Sequence, residues 1–213
     1  YGVPEFIIAL GYKGEMSKEY FRKFIAINND LSVDISTGKT TIHDGNQPKW
    51  TVHLADTGQT TQTGGRVRRL KKWLENDETF MLTYGDGVAD LNISKLLEFH
   101  RSHGKIATMT SVRSPARFGR IGFDGDRVTE FFVLFESGEG WINGGFFVLI
   151  TKALDYIDGD HTAWEREPVE RLAHAGEMVG YKHYGFWSCM DTLKEKSYLE
   201  ELWNSGKAPW KLW

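Results

Sequence analysis

Apolar and polar positions follow two rhythms along this chain. Phe6-Ile7-Ile8-Ala9-Leu10 is a continuous apolar run ending at Gly11, the pattern of a strand buried on both faces. Helical spacing follows over Glu15 to Ile27, with Met16, Tyr20, Phe24 and Ile27 on one side and Asn28-Asn29-Asp30 as its stop. Leu31 to Ser36 and Trp50 to Ala55 alternate like half-buried strands, separated by a polar loop through Gly45 and Pro48. Thr63-Gly64-Gly65 opens a basic helix with Val67, Leu70 and Leu74 on one face. The same alternation returns in a strand at Thr79 to Tyr84 that runs into Gly85-Asp86-Gly87. A helix over Ile93 to His103 then places Ile93, Leu96, Leu97 and His100 together, and Ile106 to Val112 is a strand. Ile121 to Leu134 predicts a hairpin turning at Asp124-Gly125. Ile142 to Ile150 is a strand interrupted by Gly144-Gly145. Helices at Lys152–Ile157 and Glu165–Ala175, a strand at Met178–Tyr184 and a helix from Thr192 to Asn204-Ser205-Gly206 complete the pattern. Strands alternating with helices at this spacing predict one α/β domain over residues 1–213. Its sheet is expected to be mostly parallel, with helices on both faces and a small antiparallel part.

Composition narrows the function classes. The 213 residues are 40% apolar and 26% charged, which excludes wholesale disorder. A net charge of -3 gives no global basic field for nucleic acid. No stretch approaches the ~20 apolar residues of a membrane span. The lone Cys189 cannot form an internal disulfide, which points to the cytoplasm. Aromatics reach 14%, with eight tryptophans, which would suit buried contacts between subunits as well as a core.

Tyr84-Gly85-Asp86-Gly87 places a carboxylate at the carboxyl end of a buried strand, where open α/β sheets bind ligands. It reads equally as a turn or a metal ligand. Asp90 reads as the N-cap of the next helix, and Asp191, by itself, as the N-cap of the last one. As a pair, Asp86 and Asp191 are the strand-end carboxylates that Mg²⁺ takes alongside substrate phosphates and water. Asp56 to Arg66 is a polar loop entering a helix, suited to an anion or a base edge. Arg66 opposes the dipole of that helix, which suggests a ligand for it. Asn143 beside Gly144 and Gly145 could meet sugar hydroxyls. His100 and His103 lack a third metal ligand and read as packing and surface residues. Arg66, Arg68, Arg69, Lys71 and Lys72 read as a solvated face.

Several of these segments resemble the sugar-phosphate nucleotidyltransferases, and within them the glucose-1-phosphate cytidylyltransferase branch. The resemblance is carried by Gly11-Tyr12-Lys13-Gly14, Asp56-Thr57-Gly58 through Thr63-Gly64-Gly65-Arg66, and Tyr84-Gly85-Asp86-Gly87-Val88-Ala89-Asp90. Ile142 to Val148, Trp164 to Pro168, Phe186 to Thr192 and Gly206 to Lys211 extend it over nearly the whole chain. It implies a Rossmann-like fold and conversion of CTP and α-D-glucose 1-phosphate to CDP-glucose and pyrophosphate with Mg²⁺. It also implies a homo-oligomer in nucleotide-sugar biosynthesis for O-antigen lipopolysaccharide. By resemblance Asp86 and Asp191 hold Mg²⁺ and act in catalysis. Thr61, Thr63, Gly64, Gly65, Arg66 and Gly85 take the nucleotide, and Asn143, Gly144 and Glu165 the glucose.

Two family features have no counterpart in residues 1–213. One is an opening strand with a Gly-Gly-x-Gly-Thr-Arg loop and a following lysine, a unit on the order of 30–45 residues. Turnover is expected to depend on those phosphate donors. The other is a Glu-Lys-Pro stretch, where Val133-Leu134-Phe135 stands instead. Alternatives to the cytidylyl reaction are an inactive nucleotide-sugar binding or regulatory homologue, transfer of another base, and a metal-dependent glycosyltransferase.

Overall fold

The computed structural model describes residues 1–43, 48–113, 120–124, 127–132 and 141–212, with backbone only at 120–132. Gly125 and Val133-Leu134-Phe135 lie outside the described residues. Two compact units emerge: Tyr1–Asp77 with Leu154–Arg171, and Glu78–Ala153 with Leu172–Trp213.

In the first unit β1 (Glu5–Leu10) leads through Gly11-Tyr12-Lys13 into α1 (Gly14–Ile27). A hairpin follows, β2 (Leu31–Val33) and β3 (Thr40–Ile42), then β4 (Thr51–Asp56). β4 pairs parallel with β1, Glu5 opposite Thr51 and Leu10 opposite Asp56. The strand expected over Leu31–Ser36 stops at Val33 because Asp34 forms a turn. Its Oδ1 accepts from Ser36 N at 2.9 Å and Ser36 Oγ at 2.6 Å, which also holds the carboxyl below its usual range. The basic helix is two pieces, α2 (Thr63–Arg69) and α3 (Lys71–Leu74), joined at Leu70. Val67, Leu70 and Leu74 are nonetheless all buried, as their spacing predicts. The apolar row of α1 is not: Met16 is 62% exposed, Tyr20 50% and Ile27 61%.

The second unit begins with β5 (Thr79–Thr83), β6 (Gly87–Ala89), α4 (Ile93–His103) and β7 (Ala107–Arg113). β8 (Arg120–Asp124) and β9 (Arg127–Phe132) pair antiparallel, the expected hairpin, and β10 (Trp141–Ile150) follows. A 3-10 turn covers Thr151–Tyr156 in the first of the two expected helices. α5 (Glu167–His174) spans the boundary between units, ahead of β11 (Met178–Lys182), β12 (Trp187–Cys189) and α6 (Leu193–Asn204). The main sheet runs β11-β7-β10-β5, with β11 parallel to β7 and β10 antiparallel to both of its neighbours. Leu91, Leu96 and Val148 form a core there, joined by Leu97, Phe146 and Tyr181. The fold is α/β and Rossmann-like, a mixed sheet flanked by helices. Among the described residues no helix is long and apolar enough to cross a membrane.

Candidate functional site

The parallel pairing of β1 with β4 brings Leu10 beside Asp56, so both strands release their loops at one end. A polar cavity of about 280 Å³ opens there, lined by Gly11, Tyr12, Lys13, Glu15, Asp56 and Gln59. Lys13 has φ 57, the only positive value at a non-glycine residue among the described ones. Gly11-Tyr12-Lys13-Gly14 has no role in the sequence beyond carrying the family resemblance, and neither the cavity nor the positive φ of Lys13 was legible there.

Arg66 does not reach outward as its place on the helix suggested. Its Nη1 donates to Leu10 O at 3.1 Å, Thr57 Oγ1 at 2.9 Å and Gly58 O at 2.9 Å. Thr57, 1% exposed, donates its own hydroxyl to Leu10 O at 2.8 Å. The guanidinium therefore ties the end of β1 to the loop after β4. Gly11 is bare because a Cβ there would overlap that guanidinium. The sequence does not single out Thr57, because a hydroxyl at a strand end carries no pattern of its own.

The Thr-Gly-Gly turn is packed against the protein's own backbone. Gly65 N donates to Thr162 O at 3.1 Å, and Gln62 N to Asp160 O at 2.8 Å. A Cβ on Gly64 would lie 2.8 Å from Thr162 O, and one on Gly65 2.6 Å from Asp160 Cα. Thr63 Oγ1 donates to Glu165 Oε2 at 2.7 Å and accepts from Trp164 N at 2.9 Å. Thr61 is buried. Thr61, Thr63, Gly64, Gly65, Arg66 and Glu165 thus gather in the first unit. The solvated basic face is only partly so, because Arg69 forms a two-pronged pair with Asp160, Nε–Oδ1 at 2.9 Å and Nη2–Oδ2 at 2.6 Å. That bond holds the Asp160 carboxyl below its usual range and raises Arg69.

In the second unit β6 and β12 pair antiparallel with Gly87 opposite Cys189, and Met190 N donates to Asp86 O at 2.9 Å. Asp86 and Asp191 consequently sit at the same end of one ribbon, both exposed, beside Gly85. Neither aspartate expected as a cap is one. Asn92 caps α4, its Oδ1 accepting from Lys95 N at 3.0 Å. Thr192 caps α6 in a reciprocal box with Glu195. Asn92 and Thr192 directly precede the first helical residues, Ile93 and Leu193, whereas Asp90 lies two residues before Asn92 and Asp191 one before Thr192. Asp90 instead has Oδ1 2.8 Å from His183 Nε2, too poorly aligned for a hydrogen bond. Cys189, Asp191 and Glu195 place ligand atoms within 4.8 Å of one another, and Cys189 Sγ donates to Asp191 Oδ2 at 3.3 Å. Carboxylate oxygens such as those of Asp86 and Asp191 are the hard donors that Mg²⁺ takes; the cysteine sulfur is not.

Asn143 and Gly144 occupy a bulge in β10, where the register to β7 shifts between Asn143 and Phe147. Asn143 Oδ1 accepts from Gly145 N at 2.8 Å and its Nδ2 donates to Tyr84 Oη at 3.4 Å. Gly145 has φ +77, and a Cβ on it would lie 2.7 Å from the Tyr84 ring. Trp187 Nε1 donates to Gly144 O at 2.8 Å. Tyr84 and Trp187 therefore shape the amide's surroundings, roles that sequence alone did not distinguish from packing.

No family model matches the chain. Glucose-1-phosphate cytidylyltransferase of Salmonella typhi is 44% identical over 213 residues, all of this chain and 83% of that protein. The probable glucose-1-phosphate cytidylyltransferase of Bacillus subtilis (strain 168) is 42% identical over 214 residues, again all of this chain and 83% of the relative. The chain belongs to the sugar-1-phosphate nucleotidyltransferase family. Solved structures agree at the level of fold. HddC from Yersinia pseudotuberculosis superposes with a TM-score of 0.66 at 18% identity, over 95% of this chain and 80% of that one. Membership of the sugar-1-phosphate nucleotidyltransferases supports enzymatic potential and implies a metal-dependent mechanism.

Proposed function

We propose that this protein transfers a cytidylyl group from CTP to α-D-glucose 1-phosphate, giving CDP-glucose and pyrophosphate, and works as a homo-oligomer. The observation that carries this reading is the 44% identity along all 213 residues to a protein bearing that name. A phosphate oxygen of the sugar phosphate attacks the α-phosphorus in line. The bond from that phosphorus to the β-phosphate oxygen breaks, and pyrophosphate leaves with the electron pair. No covalent intermediate is required, so orientation and charge are what the protein supplies.

Asp86 and Asp191 would hold Mg²⁺, which when bound neutralises phosphate charge. Thr61, Thr63, Gly64, Gly65 and Gly85 would border the nucleotide. Arg66 would act partly through the loop it ties to β1, setting the position of Gly58 and Gln59. Asn143 and Gly144 would present an amide to sugar hydroxyls, with Glu165 accepting another. Pyrophosphate release with glucose 1-phosphate and each of CTP, UTP, dTTP and GTP tests the assignment. Release with CTP at least tenfold above the others is expected; preference for another nucleotide would replace the base assignment. Tight CTP binding without release would identify a binding homologue.

A further inference from the structure

The carboxyl ends of β7 and β11 lie side by side, with Lys182 opposite Ser111, and β10 begins beside them, with Trp141 opposite Arg113 and Asn143 opposite Ser111. Directly paired residues point to the same side of a sheet, as do residues two apart on one strand. Arg113, Lys182, Trp141 and Asn143 therefore share one face. Side-chain positions agree. The Arg113 guanidinium lies 4.5 Å and the Lys182 ammonium 5.5 Å from the centre of the Trp141 ring. Tyr184, 79% exposed, stands edge-on to the same ring at 5.2 Å.

Two like charges around one indole repel each other, and an exposed aromatic face offsets that only weakly. Neither cation has a carboxylate partner among the described residues. Two cations gathered on one ring with no carboxylate partner among the described residues form a positive spot suited to an outside anion. Neither residue belongs to a segment that carries the family resemblance. Their neighbours define the anion further. Trp141 and Tyr184 offer flat apolar surface, and Asn143, two residues along β10, offers an amide for hydroxyls. A phosphate monoester on a sugar matches both halves: a dianion for the cations, a polyhydroxylated ring for the amide and aromatics.

We propose that Arg113 and Lys182 form the seat for the phosphate of the acceptor sugar 1-phosphate, flanked by Trp141 and Tyr184. This rests on the sugar-phosphate part of the proposed function and adds residues to it. The sugar phosphate is then held by β7, β10 and β11 of the second unit.

Isothermal titration of the whole chain with glucose 1-phosphate, glucose and inorganic phosphate tests it, using Arg113→Gln, Lys182→Gln and the double variant. Each substitution should weaken glucose 1-phosphate by about tenfold or more, consistent with loss of a charged hydrogen bond. CTP affinity and thermal midpoint should stay unchanged, and Arg113→Lys should keep most of the affinity. Wild-type affinity should fall with added salt more steeply than that of the double variant. Unchanged glucose 1-phosphate affinity in the double variant overturns the seat, as does an equal loss for CTP or no binding by the wild type. If the seat fails while CTP turnover persists, the reaction stands; if phosphate binding follows the cations but CTP is not preferred, the base assignment fails alone.

Discussion

The Arg66 side chain turns toward the protein's own backbone. It is half-buried, and its guanidinium reaches two carbonyls and a hydroxyl, fixing the loop that borders the cavity after β1 and β4. Arg66→Ala would leave Gly58 O short of a donor inside a partly dry corner. The variant should lose about 1–3 kcal/mol of stability in urea unfolding. It should also raise KM for CTP more than for glucose 1-phosphate; an effect confined to the sugar phosphate would assign Arg66 to the other half of the site. At this scale sequence marks residue types well and directions poorly. Asp86 and Asp191 stood out because a carboxylate at a strand end is unusual chemistry, and they do share one end of a ribbon. Gly64 and Gly65 were also legible as special, yet their bare faces meet Thr162 and Asp160, contacts about a hundred residues away that no local pattern encodes.

α4 and β7 are joined through two histidines whose hydrogens run in one direction. Lys105 N donates to His103 Nδ1 at 3.0 Å, so His103 carries its hydrogen on Nε2 and donates to Thr108 Oγ1 at 2.7 Å. The Thr108 hydroxyl hydrogen is then left for His100 Nδ1 at 2.8 Å. Burial, followed by the neighbouring His103 and Arg101, lowers the His100 pKa from 6.5; burial, followed by Lys105, lowers that of His103. The unfolded chain therefore binds more protons at and below pH 6.5 than the folded one. The stability from this join is present above pH 6.5 and declines as pH falls below it. Urea midpoints between pH 7.5 and 5 should drop for the wild type and drop less for His100→Gln; parallel curves would remove the join from the account. The span of α4, Ile93–His103, was legible from its apolar row, but its cap was not, because the sequence reading gave that place to Asp90 and the structure gives it to Asn92. α1 was legible as a helix but not as an exposed one: periodicity reports an apolar face, and whether anything covers it is a tertiary fact. The short strands β3 and β6 escaped because three residues hold too little pattern to declare a pairing.

At the scale of the molecule, the candidate residues fall into two sets on two compact units. Thr61, Thr63, Gly64, Gly65, Arg66 and Glu165 lie in one, and Gly85, Asp86, Asn143, Gly144 and Asp191 in the other. Alternation of strands and helices was enough to predict an α/β fold, and the parallel pairs β1–β4 and β7–β11 match it. The antiparallel place of β10 was not legible, because a strand buried between two neighbours reads the same in either direction. The proposed reaction draws on both sets. Phosphorus NMR of the protein with CTP, glucose 1-phosphate and Mg²⁺ addresses that reaction directly. With the family's opening phosphate-binding unit present, the account predicts that CTP signals decay as diphosphate signals of CDP-glucose and free pyrophosphate grow one for one, and that Asp86→Asn, still folded, abolishes the change. Consumption of another nucleotide in preference to CTP, or undiminished conversion by Asp86→Asn, would contradict it.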